Sequence, residues 1–238
     1  MSLADIRGIL FDKDGTLVDF QATWFAIGDR MAMRAAAGDR GRADALMAQA
    51  GYDLAAHRFR ADSVFAAGTN ADIVALWYPG LEQAPRQAMV ADFDTFTASE
   101  GAAQSVALPG AREAIARLHG AGYRMGVATN DSTRGAEQTL LALGIAQMFD
   151  AAYGYDAVAN PKPAPDTISA FADLTGLKPA QLAMVGDNRH DLQMARAGGV
   201  GLAVGVLSGT GTRDTLSSLA DVVLDSIADL PDYLMGRD

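Results

Sequence analysis

The 238-residue sequence predicts an α/β fold, a parallel sheet with helices on both faces, interrupted by a mainly helical insertion. Three observations predict it. From residue 109 onward, short apolar runs alternate with segments of helical periodicity, the pattern that builds parallel sheets. Between residues 19 and 104 the alternation stops and helical spacing takes over. Finally, several apolar runs end in small clusters of polar residues, and in open α/β sheets ligands bind beyond the carboxyl ends of the strands.

Taken in order, Ile6, Ile9, Leu10 and Phe11 read as the first buried strand. Side-chain direction repeats every second residue in a strand, so Asp12 and Asp14 leave its end on one side. Phe20, Trp24, Ile27 and Met31 follow helical spacing as far as about Gly38. A second helix covers 42–50 and stops at Gly51. Thr69 with Asp72 forms a capping box for a third, which reaches Trp77 before Pro79, and a fourth covers 84–98. Leu108-Pro109-Gly110 restarts the alternation. Helices are expected at 111–118, 133–143, 165–175 and 191–197, and strands at 123–128, 151–155, 182–185, 200–206 and 221–224. The expected division is a sheet domain made of 1–18 and 105–238, with 19–104 inserted; there is no internal repeat.

Composition fits a compact cytoplasmic enzyme. Half the residues are apolar, enough for a large core in one or two domains. No run approaches the roughly 18 apolar residues of a membrane span, and the N-terminus lacks a secretory signal pattern. With no cysteine there is no disulfide, thiolate metal site or cysteine nucleophile. A net charge of -10 argues against a nucleic-acid partner, which needs a basic face. It does not exclude small anionic ligands, because exposed charges beyond about 8 to 10 Å are largely screened at physiological salt and the local site decides.

Asp12 and Asp14 carry the first chemical signal, since carboxylates this close call for a hard cation or a shared proton. A solvated turn would also accept such a pair. A calcium loop would not fit: its sixth position needs Gly and holds Leu17, and its twelfth needs Glu and holds Thr23. Three further clusters follow apolar runs: Thr129-Asn130, Lys162 between Pro161 and Pro163, and Gly186-Asp187-Asn188-Arg189-His190-Asp191.

Asp-x-Asp, then Thr, then Lys, then Gly-Asp-x-x-x-Asp, in this order across nearly the whole chain, resembles the haloacid dehalogenase superfamily of phosphotransfer hydrolases. The resemblance implies a Rossmann-like core with a helical cap that closes over the site. It also implies roles: Asp12 as the nucleophile that forms an aspartyl-phosphate, and Asp14 as the general acid/base. Mg²⁺ would be held by Asp12, the Asp14 backbone carbonyl and Asp187, with Asp191 supporting it directly or through water. Thr129 and the Asn130 amide would bind phosphoryl oxygens, and Lys162 would offset phosphoryl charge.

Two residues depart from the family pattern. Lys13 stands where relatives more often carry an apolar residue; strand alternation points it away from the phosphate side, where it offsets local acidity. Asn188 replaces a small hydroxyl. Among reactions of the superfamily, Asp14 argues against halide displacement. The cap holds no lysine for the Schiff base of phosphonate-cleaving members, since the lysines are Lys13, Lys162 and Lys178. Phosphomonoester hydrolysis is the expected reaction, with phosphoglycolate phosphatases the nearest resemblance. A sugar-phosphate mutase and a non-catalytic module binding a phosphometabolite or a protein are the alternatives. The expected partner is a small phosphorylated metabolite, with no nucleic acid or membrane, and the chain a monomer or homodimer. Arg30, Arg34, His57, Arg58 and Arg60 are available in the insertion. Arg58 and Arg60 share a face if the segment is extended, which makes them candidates for binding a substrate carboxylate.

Overall fold

The computed structural model describes residues 3–236. Strand β1 (Gly8–Phe11) is buried along its whole length and forms the centre of a six-stranded sheet. After it comes the helical segment, with α1 (Phe20–Ala35), α2 (Arg40–Ala50), a hairpin of two short strands, β2 (Tyr52–Asp53) and β3 (Arg58–Phe59), then α3 (Val64–Ala67), α4 (Asn70–Trp77) and α5 (Gln83–Gln104). The chain then returns through α6 (Ala111–Gly120), β4 (Arg124–Ala128), α7 (Thr133–Ala142), β5 (Ala151–Tyr153), α8 (Asp166–Thr175), β6 (Leu182–Gly186), α9 (Arg189–Gly198), β7 (Leu202–Val206), α10 (Arg213–Leu216), β8 (Val222–Leu224) and α11 (Leu230–Met235).

The large sheet is parallel throughout, in the order β5-β4-β1-β6-β7-β8. The chain builds outward from β1 to β5 on one side, then crosses to β6 and builds outward on the other. The order therefore reverses at β1, so the ligand crevice falls beyond the carboxyl ends of β1, β4 and β6.

Strand alternation divides the sheet's apolar residues between two faces. Ile9, Phe11, Ala183 and Val185 pack with Ile115 and Leu118 of α6 and Leu140 of α7. Leu10 and Met184 pack on the other face with Ile168 and Phe171 of α8 and Leu192 of α9. Phe171 is wholly buried, so Phe171→Ala would cost about 3 to 5 kcal/mol. The helical segment gathers its own cluster from Trp24, Ile27 and Met31 of α1, Met47 of α2, Val74 and Trp77 of α4 and Phe93 of α5.

The main expected elements are present. α5 runs to Gln104 instead of stopping at 98. The β2–β3 hairpin, α3 and α10 were not foreseen, because two- and four-residue elements carry no periodicity to read. α9 starts at Arg189, since Asn188 and Asp191 form a capping box: the Asp191 carboxylate accepts from the Asn188 N–H at 2.9 Å. C-terminal α11 was likewise not anticipated.

Candidate active site

Three strands end on the same rim of the sheet and deliver Asp12 after β1, Thr129 after β4 and Asp187 after β6. Lys162, from the loop before α8, crosses beneath them. Its Nζ donates to Asp12 Oδ1 at 2.6 Å and to Asp191 Oδ1 at 2.7 Å, and all three residues are buried. Burial works against the ammonium, yet Asp12 and Asp191 outweigh it and hold the Lys162 pKa above the ordinary lysine value. A pair this deep is kept for what it positions, and removing one partner strands an uncompensated charge.

One carboxylate oxygen each from Asp12, Asp187 and Asp191 lies within 4.8 Å of the other two. Burial, and then repulsion from Asp191 and Asp14, pushes Asp12 up to about 7 against the opposing pull of Lys162. Asp187 is driven well above the usual carboxylate range by burial and by Asp12 and Asp191. Three buried carboxylates thus share one lysine, a hard-oxygen donor set deficient in positive charge. Such a set fits a divalent cation, whose charge restores the ionised form of each carboxylate. The Asp14 carboxylate lies outside this group.

Asp187 is fixed by a distant loop. Its Oδ2 accepts from the Thr210 N–H at 2.7 Å, and a Cβ at Gly209 or Gly211 would collide with Asp187 itself. Gly15, at φ +84°, also approaches it closely, since an added Cβ there would come 2.7 Å from Asp187 Cγ. The Ser208–Thr212 segment is not among the candidates drawn from the sequence, although its alternating glycines signal close backbone approach.

A second ionic cluster holds Asp14. Its Oδ2 is 2.6 Å from Lys13 Nζ and its Oδ1 accepts from the Trp24 indole N–H at 2.6 Å. Lys13 also reaches Asp131 Oδ2 at 3.1 Å and lies 5.3 Å from the centre of the Trp24 ring. Lys13 does not line the cavity described below, and its pairing with Asp14 and Asp131 is the offsetting of local acidity expected of it, at only 1% exposure. Burial opposes its charge, but Asp14 and Asp131 raise its pKa overall; burial likewise raises Asp131, despite Lys13. Asp131 and Trp24 were not singled out from the sequence.

Thr129 Oγ1 accepts from the Asp131 N–H at 3.1 Å, which leaves its own hydroxyl hydrogen available. The side chain of Asn130 ties the helical segment to the sheet, its Nδ2 donating to Ala67 O at 2.8 Å and Lys162 O at 3.1 Å. The His190 ring nitrogen Nδ1 meets the same Ala67 carbonyl at 3.2 Å. Between the two layers lies a cavity of about 50 Å³. Its floor includes Asp12, Asp14, Thr129, Asn130, Lys162 and Asp191; its roof includes Phe20, Trp24, Phe65, Asn70 and Ile73.

Arg58 and Arg60 do not line this cavity. Alternation on β3 buries Phe59 and exposes both arginines, and Arg60 Nη2 donates to Ala48 O at 3.1 Å. The shared face is real, but it turns outward because Phe59 is claimed by aromatic packing with Phe20 and Phe65. Arg30 and Arg34 pair on the surface with Glu100 and Asp92. Lys162 is the only lysine or arginine among the lining residues.

Known proteins resemble this chain in sequence and in fold. Phosphoglycolate phosphatase of Salmonella typhimurium is 32% identical over 96% of this chain and 92% of its own. Probable phosphatase IndB of Dickeya dadantii is 37% identical over 54% of this chain and 56% of its own. A crystal structure of a predicted phosphoglycolate phosphatase from Haemophilus somnus superposes with a TM-score of 0.72 at 22% identity, covering 96% of this chain and 98% of that one. The profile of the haloacid dehalogenase-like hydrolases matches residues 6–199, which takes in all four polar clusters at the rim of the sheet, and the chain belongs to that family of hydrolases.

Proposed function

We propose that the protein is a Mg²⁺-dependent phosphatase of small phosphomonoesters, working through an aspartyl-phosphate on Asp12, with 19–104 as its cap and 1–18 with 105–238 as its core. The observation that carries the reading is the placement of Asp12 Oδ1, 2.6 Å from Lys162 Nζ and inside a buried carboxylate triad at the carboxyl end of the central strand. Mg²⁺ would be held by Asp12, Asp187 and the Asp14 carbonyl, and when bound it supplies the positive charge that the three carboxylates lack. Asp191 spends one oxygen on Lys162 and the other on the Asn188 N–H, which suits it to orienting the lysine and supporting the ion from behind.

The chain's own groups then divide the work. Asp12 attacks phosphorus while Lys162 neutralises charge on the phosphoryl oxygens and Thr129, with the Asn130 amide, donates to them. Asp14, poised by Lys13 and Trp24, protonates the leaving oxygen and later takes a proton from the attacking water. Closure of the cap excludes bulk water. The intact Asp14 and the ionic network around it favour turnover over a module that only binds, and no lysine from the cap reaches the cavity to favour a phosphonate or mutase route.

Phosphoglycolate as the particular substrate draws on the names of the relatives; Arg58 and Arg60, the groups foreseen for its carboxylate, stand outside the cavity. The reading is tested by phosphate release from p-nitrophenyl phosphate with and without Mg²⁺. Asp12→Asn keeps the shape of the side chain but not the nucleophile, so turnover should fall at least about 10⁴-fold with the circular dichroism unchanged. Substantial turnover by folded Asp12→Asn protein would refute the covalent route.

A further inference from the structure

Asp187 is gripped by two segments that the fold brings together. Strands β6 and β7 pair in register, Gly186 with Gly205, so the segment leaving β7 reaches the end of β6. There the Thr210 N–H donates to Asp187 Oδ2 at 2.7 Å, and the Thr210 hydroxyl donates to the same oxygen at 3.2 Å. Among the described residues, no protein group donates to Oδ1.

The main chain tightens the grip. A Cβ at Gly209 would overlap Asp187 Oδ2, and one at Gly211 would overlap the Asp187 main-chain oxygen. A Cβ at Gly15 would stand 2.7 Å from Asp187 Cγ and 2.8 Å from the Gly209 Cα, so the turn after β1 and the segment after β7 meet at this one carboxylate. Ser208 joins them: its hydroxyl donates to the Gly15 carbonyl at 2.7 Å, across 193 positions of sequence.

The other two carboxylates of the triad are held differently. Asp12 gives an oxygen to Lys162, and Asp191 gives one to Lys162 and the other to the Asn188 N–H. Among the described residues Asp187 makes no ion pair, and its orientation rests on the neutral donors of Thr210. Partners of this kind aim a carboxylate at a cation and tune how tightly it is held. With Oδ2 engaged, Oδ1 is the oxygen left for the ion.

Resting on the phosphatase reading for the identity of the cation, we infer that the Ser208–Thr212 segment is a positioning element of the metal site: it restricts Asp187 to one ligating oxygen and so sets the affinity for Mg²⁺. Thr210 and Gly209 fix the carboxylate, and Ser208 keeps the segment in step with the turn that carries Asp12 and Asp14. The segment lies beyond residue 199, where the match to the family profile ends.

Isothermal titration of the substrate-free protein with Mg²⁺ tests this without any need for turnover. Gly209→Ala should weaken Mg²⁺ binding by about 10- to 100-fold, the usual worth of a partner that orients a metal ligand. The variant should also need more Mg²⁺ for half-activation on p-nitrophenyl phosphate, while KM at saturating Mg²⁺ stays within about twofold. Ser208→Ala and Thr210→Val leave the main chain unaltered and serve if Gly209→Ala fails to fold; each should weaken Mg²⁺ binding by about 3- to 10-fold, one hydrogen bond's worth. Intact Mg²⁺ affinity in folded Gly209→Ala protein, or in both of the other variants, would overturn the inference. Weakened Mg²⁺ binding in a series whose unmutated parent hydrolyses no phosphomonoester would uphold it and refute the phosphatase reading, whereas a parent that binds no Mg²⁺ would overturn both.

Discussion

The floor and the roof of the cavity are built on opposite principles. The floor packs Asp12, Asp14, Asp131, Asp187 and Asp191 around Lys13 and Lys162, so that each side chain is fixed by an ion pair or a backbone N–H. The roof offers aromatic rings and one amide, and its arginines lie on the outside. Charge on the floor is expensive to bury and must be positioned within tenths of an ångström for phosphoryl transfer, whereas the roof has only to shape and dry the space. On the proposed reading chemistry falls to the floor and selection of substrate to the roof, and mutations on the two sides should differ in kind.

The sharpest way to break the comparison is Asp14→Asn on the floor. The backbone carbonyl stays while the proton carrier goes, so hydrolysis of an alkyl phosphate should fall by about 10² to 10⁴ and that of p-nitrophenyl phosphate, a better leaving group, by much less. Equal losses on the two substrates would show that Asp14 serves structure instead. Lys162→Met comes next. It leaves Asp12 and Asp191 buried with no lysine, and kcat should drop by about 10² to 10³, with a lowered urea midpoint that added Mg²⁺ partly restores. A midpoint indifferent to Mg²⁺ would separate the metal from the carboxylate triad.

Trp24→Phe probes the seam, since Trp24 belongs to the roof but hydrogen-bonds the floor. Loss of the indole N–H to a carboxylate is worth about 1.5 to 3 kcal/mol, which predicts a fall of roughly 10-fold or more in kcat on alkyl phosphates at little change in KM. A change confined to KM would return Trp24 wholly to the roof. The smallest effect is expected from Arg58→Ala and Arg60→Ala, whose exposed guanidinium groups should change kcat/KM on any substrate by less than about twofold and stability by about 0.5 kcal/mol or less. A selective loss on phosphoglycolate would place one of them over the site after closure.

The floor was largely legible in the sequence because motif residues sit at strand ends, where local order dictates three-dimensional position: Asp12, Thr129 and Asp187 each follow an apolar run that is its own signal. What was not legible depends on packing between distant segments. Lys13 reaches Asp131 across 118 positions of sequence, and only the fold brings the two within 3.1 Å. The outward turn of Arg58 and Arg60 was decided by which face of β3 the Phe20 and Phe65 rings would cover, a matter of tertiary packing that alternation alone leaves open. Tyr155, Asp94 and Asn70 form one chain of hydrogen bonds drawn from three separate parts of the sequence, with no local pattern to announce them.

The double use of the Ala67 carbonyl has a consequence for how such a protein can diverge. Asn130 and His190, both from the sheet side, converge on this one main-chain oxygen of the helical side. Every residue type carries a carbonyl, so the acceptor half of the joint survives any substitution at position 67 that keeps the backbone path. The roof can thus exchange its side chains over generations while its attachment persists, and new substrates come within reach without the two halves having to be matched again.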